Sequence, residues 1–305
     1  EATLLRSYEV RVYKAAKAEG IKPIIGCEVY VASKSRFDKE NSPDNFYYHL
    51  VLLAENNKGY DNLIKIVSYG FKDGFYYKPR VDIELLEKYH EGIIALSACL
   101  AGPVARTIIR QGYDKAKEVA LRYNNIFGEN NFFLELQDHM DGSVDQQTVN
   151  QSLMRMHQET GIPLVATNDC HYISPEDAEA HDILLCIQTN TTVDEADRMR
   201  YEGGQYYVKS PEEMYSLFPY AHQACENTYK IAQRCNVEFE FGNYKLPVFD
   251  VPDGKAAVEY LSELALNGLK ERYGEVTPKL KERLDYELSI IIQMGFVDYF
   301  LIVWD

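Results

Sequence analysis

Short apolar runs recur through the first ~240 residues, and between them apolar positions repeat every three to four residues. The runs at 22–31, 47–54, 92–97, 131–137 and 163–168 predict strands, and the patterns at 58–69, 113–126 and 144–160 predict helices. Runs rich in Ile and Val, each leading into a helix, predict an α/β fold with a largely parallel sheet buried on both faces. The pattern is compatible with a closed barrel and with an open sheet.

Near Phe241-Gly242-Asn243-Tyr244-Lys245-Leu246-Pro247 the pattern changes. The turn-rich Pro247-Val248-Phe249-Asp250-Val251-Pro252-Asp253-Gly254 reads as a boundary and divides the chain into 1–241 and 242–305. Beyond it, 256–273 and 278–294 are amphipathic helical patterns carrying many charges. The chain stops just after the apolar Phe300-Leu301-Ile302-Val303-Trp304, which predicts a piece of something longer. Neither internal repeats nor low-complexity tracts are present.

Composition narrows the class. With 46% hydrophobic and 26% charged residues the chain is that of an ordinary soluble globular protein. No apolar run approaches the ~20 residues that span a bilayer, and the start does not resemble a secretory signal. A cytoplasmic protein with no membrane partner is expected. The net charge of −15 argues against holding nucleic acid by a diffuse basic surface. It leaves room for a nucleic-acid enzyme whose bound cations reverse the charge at a carboxylate-rich site. The cysteines at 27, 99, 170, 186, 225 and 235 are scattered, without Cys-x-x-Cys, and are expected to be reduced, mostly buried thiols.

Candidate chemistry gathers where predicted strands meet loops, which is where sites form in parallel α/β sheets and barrels. Glu28 follows Pro23-Ile24-Ile25-Gly26-Cys27, His49 follows Phe46-Tyr47-Tyr48, and Cys99 follows Ile93-Ile94-Ala95-Leu96-Ser97-Ala98. The run Ile162-Pro163-Leu164-Val165-Ala166 leads into Thr167-Asn168-Asp169-Cys170-His171-Tyr172. On an extended backbone Asp169 and His171 would point to the same side. Singly, each has a plainer explanation: a solvated carboxylate, a core imidazole, a small buried thiol, a local turn. Jointly, imidazole, carboxylate and thiol suit a zinc, manganese or iron centre better than magnesium or calcium. A cluster of such ions fits phosphoester hydrolysis, and no Gly-rich phosphate loop competes. His139 and Arg106 are further candidates for supporting the site or touching substrate. His181 reads as a packing or surface residue. The 24 tyrosines can include base-stacking rings, although core packing explains most of them.

Three of these segments resemble the PHP (polymerase and histidinol phosphatase) domain, in the form that opens bacterial replicative DNA polymerase III α subunits. They are Ile21-Lys22-Pro23-Ile24-Ile25-Gly26-Cys27-Glu28-Val29-Tyr30-Val31, Leu96-Ser97-Ala98-Cys99-Leu100-Ala101-Gly102 and Ala166-Thr167-Asn168-Asp169-Cys170-His171-Tyr172. Lys209-Ser210-Pro211-Glu212-Glu213-Met214 adds support, and Gly295-Phe296-Val297-Asp298-Tyr299-Phe300 looks like the opening of the polymerase palm region. The resemblance implies a distorted (β/α)7 barrel over 1–241 and a mainly helical start of the palm over 242–305. It implies a divalent metal cluster held by Glu28, His49, Cys99, Asp169 and His171, and in members with a full ligand set a 3′–5′ exonuclease. Implied partners are DNA, a sliding clamp, a clamp loader and a proofreading subunit, with magnesium serving the parent polymerase.

The front of the chain departs from the family. Members open on a His-x-His strand followed by a Thr-Asp-His motif, whereas residues 1–12 contain no histidine. The resemblance therefore implies an incomplete ligand set here and a barrel open on one side. The polymerase's catalytic aspartates lie beyond Asp305 in the family, so this fragment is not expected to polymerise DNA. A metal-dependent nuclease and a structural scaffold are the two leading functions, and a phosphatase for small monoesters is a third.

Overall fold

The computed structural model describes residues 2–242 and 247–305, so residues 243–246 of the expected boundary lie outside it. The chain divides into two compact units, Glu1–Glu238 and Phe239–Asp305. In the first, α1 (Ala2–Ala18) precedes β1 (Gly26–Ala32), β2 (Tyr47–Ala54), α2 (Asn57–Lys72), β3 (Phe75–Tyr76), β4 (Lys78–Val81), α3 (Ile83–Tyr89) and β5 (Ile93–Leu96). There follow α4 (Pro103–Gln111), α5 (Tyr113–Phe127), β6 (Phe132–Leu136), α6 (Val144–Thr160), β7 (Leu164–Ala166), α7 (Ala178–Thr189), α8 (Pro211–Leu217) and α9 (His222–Arg234).

The strands form one sheet in the order β3-β4-β1-β2-β5-β6-β7. Strands β4, β1, β5, β6 and β7 run one way, and β2 and β3 run against them. The sheet is therefore mixed, which corrects the expectation of a largely parallel one. The 33–46 connection contains no helix, so the chain turns straight back from β1 into an antiparallel β2. The β3–β4 hairpin was not expected either; its two-residue β3 is too short to leave a periodic signal. The (β/α)7 barrel does not close: β3 and β7 are the sheet's edges, and among the described residues no strand joins them.

Register fixes the two faces of this sheet. One carries Val29, Val31, Leu50, Leu52, Ala54, Ile93, Ala95, Phe132, Leu134 and Leu136, all buried. Burying each large side chain contributes about 1.5–3 kcal/mol. On the other face Ile94, Leu96, Phe133 and Val165 make a core with Val51, Leu53, Ile231 of α9 and Cys235 just after it. Helices are punctuated as their sequences dictate. Asn56 caps α2 by accepting from the Gly59 N–H, Asp82 caps α3 through the Leu85 N–H, and Ser143 caps α6 through the Gln146 N–H.

The long β1–β2 connection is knotted from below by buried charge. Arg36 donates to Asp82 at 2.8 Å with both side chains nearly inaccessible. Arg80, fully buried, donates to the Asn45 side chain at 2.7 Å and to the carbonyls of Asp38, Arg36 and Gly74. This network fixes the residues that lead into His49.

In the second unit α10 (Ala257–Tyr273), α11 (Pro278–Gln293) and α12 (Val297–Trp304) surround Leu261, Leu288, Val297 and Leu301. Thr277 caps α11 ahead of Pro278, and the Phe249 N–H donates to Asp298 at 2.9 Å. Helices α11 and α12 turn on each other by 112°. No single helix among the described residues is long and apolar enough to cross a membrane.

Candidate metal centre

Because β2 runs backwards, its first residues lie beside the carboxyl ends of β1 and β5. His49 pairs with Tyr30 in register, one pleat from Glu28, and its N–H donates to the Ala101 carbonyl in the loop after β5. Glu28, His49, Val51 and Leu96 thus share the face whose lower part is apolar core. The polar end of that face is the mouth. Glu28 is therefore inside its strand and His49 near the start of its own, rather than at strand ends as the sequence suggested.

At the mouth His49 Nδ1 lies 3.2 Å from Glu28 Oε1 and 3.9 Å from Cys99 Sγ. Burial raises the Glu28 pKa, with His49 pulling it down and Asp169 pushing it up. The Cys99 thiol is pushed up to about 12, by burial first and then by the negative charges of Asp169, Glu28 and Glu135. Its loop is tightly constrained. Ala98 sits in the left-handed region at φ +62°, and a Cβ on Gly102 would stand 2.0 Å from the Ser97 carbonyl oxygen.

Asp169 and His171 come from irregular chain beyond β7, with Asp169 at φ +46°. The extended Asp-x-His geometry is thereby corrected: β7 ends at Ala166, and the left-handed residue breaks the alternation. His171 is exposed, its Nδ1 lies 2.6 Å from the Asp169 carbonyl, and its N–H donates to the Tyr206 carbonyl. Both side chains act electrostatically on Glu28 across the mouth. Asn168 anchors the turn, donating to the carbonyls of Gln205 and Tyr207 at 2.8 Å each and accepting from Lys209.

Residues 7–139 match the PHP domain family, and residues 259–305 match the bacterial DNA polymerase III alpha NTPase domain. The chain is 46% identical over 299 residues to the DNA polymerase III subunit alpha of Borreliella burgdorferi, covering 97% of the chain and 26% of that protein. It is 45% identical to that of Treponema pallidum over 96% of the chain, and 37% identical to that of Thermus aquaticus over 97%. The chain carries a PHP domain of the bacterial DNA polymerase III α type. It spans about a quarter of the length of these curated relatives. Glu28, His49, Cys99, Arg106 and His139 lie within the matched PHP residues, while Asp169 and His171 lie beyond them.

In this PHP domain the supporting candidates are engaged in structure. Arg106 on α4 donates to the Tyr47 carbonyl at 3.1 Å and covers the Phe46 ring at 4.4 Å, so its guanidinium is committed to holding the start of β2. His139 is buried, stacked on Tyr206 at 3.9 Å with Nε2 at the Asn168 carbonyl, and burial lowers its pKa. It backs the Asp169 turn. His181, read as a packing or surface residue, stands 5.4 Å from the His171 ring and 5.3 Å from Tyr201. No disulfide links the cysteines, and Cys170 is exposed rather than buried.

Three residues escaped notice in the sequence. Tyr201 packs on His171 at 4.3 Å and feels Asp169, Cys99 and Glu28; Tyr206 meets it edge-on at 4.7 Å. Glu135 is a buried carboxylate inside β6, whose five residues are all buried. A lone charge in such an apolar run was the available signal.

The donor types at the mouth fit a transition-metal ion. The set is not gathered into a cage: among the described residues no three imidazole, thiol or carboxylate groups stand close enough to hold an ion.

Proposed function

We propose that this chain is the N-terminal part of a replicative bacterial DNA polymerase, and that its mouth is a metal-dependent phosphoesterase site of the 3′–5′ exonuclease type. One observation carries the second half: His49 Nδ1 lies 3.2 Å from Glu28 and 3.9 Å from Cys99, donors from three separate segments at the mouth end of one sheet face. The kinship with DNA polymerase III α subunits supports the first half. On this reading its partners are DNA and the other holoenzyme subunits, magnesium serves polymerisation, and the location is the cytoplasm.

Glu28, His49 and Cys99 would hold zinc, manganese or iron, with Asp169 and His171 completing the set. Bound there, the metal supplies an activated water and neutralises phosphate charge. The chain's own residues orient these donors. Glu28 and Cys99 both approach His49 Nδ1, Arg106 fixes the start of its strand, and Tyr201 and Tyr206 wall the mouth beside His171. The second reading is a structural scaffold for the polymerase, favoured by the ungathered donor set.

Metal analysis of the purified full-length protein, together with degradation of a 3′-labelled single strand, separates the two. Two or more metals per chain, with cleavage abolished by Asp169→Ala, support the nuclease. At most one metal and no cleavage, with lowered stability in His171→Ala, support the scaffold.

A further inference from the structure

Beneath the mouth lies a carboxylate with no part in the donor set. Glu135 points from β6 onto the same face as Phe133 and Val165, and it is 5% exposed. Ion pairs involving it are absent among the described residues. Its Oε2 accepts from the Ala98 N–H at 2.8 Å, and its Oε1 accepts from Thr167 Oγ1 at 2.5 Å and Gln137 Nε2 at 3.3 Å. Its own N–H donates to Ser97 Oγ at 2.8 Å.

These bonds join the two turns that carry donors. Ala98 directly precedes Cys99, and Thr167 is two residues before Asp169. Ala98 and Asp169 both occupy the left-handed region, which non-glycine residues keep only where their surroundings over-determine it. A buried carboxylate without a cation is costly. An apolar side chain would fill the same space in a strand that is otherwise Phe and Leu. The retained charge is explained by two acceptors placed back to back, one for each turn.

We propose that Glu135 is the positioning residue that sets Cys99 and Asp169 together at the mouth. The proposal rests on the metal-centre reading of the mouth. Glu135→Gln has nearly the same shape but replaces one acceptor by a donor. With its oxygen toward Thr167 the amide leaves Ala98 N–H without an acceptor. With its oxygen toward Ala98 it sets N–H donors against the Gln137 amide donor and forces Thr167 Oγ1 to turn from donor to acceptor. Thr167→Val cuts the Asp169 tie alone and leaves the charge in place.

The test is cobalt(II) titration of the full-length protein, read by the sulfur-to-cobalt charge-transfer band of Cys99, with thermal unfolding of the metal-free proteins alongside. Cys99→Ser assigns the band. The expected result is at least tenfold weaker cobalt binding in Glu135→Gln, with a lost or shifted band and a cooperative metal-free transition. Thr167→Val is expected to weaken binding comparably while the band persists. Wild-type affinity and spectrum in Glu135→Gln, or unchanged affinity in Thr167→Val should Glu135→Gln not fold, overturn the proposal and leave the metal centre standing. Wild-type protein that binds no cobalt overturns both.

Discussion

The two halves of the mouth are built differently. Glu28 and His49 sit on adjacent strands whose other face buries Val29, Val31, Leu50 and Leu52, and Cys99 follows β5 in a turn closed by the Gly102 N–H to Cys99 carbonyl bond. Asp169 and His171 sit on irregular chain beyond β7, held by the side chains of Asn168, His139 and Lys209 and by the His171 N–H bond to the Tyr206 carbonyl. Strand-borne donors inherit the rigidity of the ladder. Loop-borne donors are only as fixed as their hydrogen bonds. A mouth assembled this way keeps one wall rigid and leaves the other adjustable.

The largest expected effect comes from removing the support under the rigid wall. Asp82→Ala leaves buried Arg36 only the exposed Glu84 carboxylate as partner and uncaps α3, so it should cost about 3–5 kcal/mol, read as a lowered thermal transition. A result under about 1 kcal/mol would show that the network does not brace that wall. Gly102→Ala forces a Cβ toward the Ser97 carbonyl and should cost about 1–3 kcal/mol while moving Cys99 away from His49. Unchanged stability would sink the claim that this turn is constrained. Asn168→Ala should cost about 1–2 kcal/mol and act locally. Faster amide exchange across 201–209, with β1 and β2 unchanged, is the expected pattern. Equal loosening of both walls would erase the distinction.

The smallest effect is one of reactivity. Exposed Cys170 should take iodoacetamide first at pH 8, while Cys99, with its pKa pushed to about 12, stays a thiol. The raised folded value means that the neutral thiol's contribution to stability is intact below about pH 9 and is lost as pH climbs toward about 12. Mass spectrometry that finds Cys99 alkylated before Cys170 would contradict this ordering.

Much of the frame was legible because local chemistry agreed with the fold. The patterns at 47–54 and 144–160 match β2 and α6 residue for residue, and in the structure α6 begins after the Ser143 cap and ends at Gly161 in the left-handed region. Strand direction was not legible, because a buried run such as Leu50–Ala54 reads alike in parallel and antiparallel neighbours. The five donor candidates were chosen as strand ends; β2's reversal is what puts His49 beside the carboxyl end of β5. The backbone at Asp169 escaped prediction because nothing in Asn168-Asp169-Cys170 demands a left-handed residue as glycine would. Glu135 stayed hidden because its partners, Ala98 and Thr167, are far away in sequence.

The reversed second strand also bears on the order in which the chain folds. Pairing of β1 with β2 closes over the 33–46 connection alone, whereas β5 reaches β6 across α4 and α5, and β6 reaches β7 across α6. Short closures lose less chain entropy before contacts reward them. Amide protection in pulse-labelled refolding is therefore expected in Val29–Val31 and Leu50–Leu52 before Leu134–Leu136. On that timetable His49 meets Glu28 while Asp169 is still unplaced, and the adjustable wall is the last to arrive.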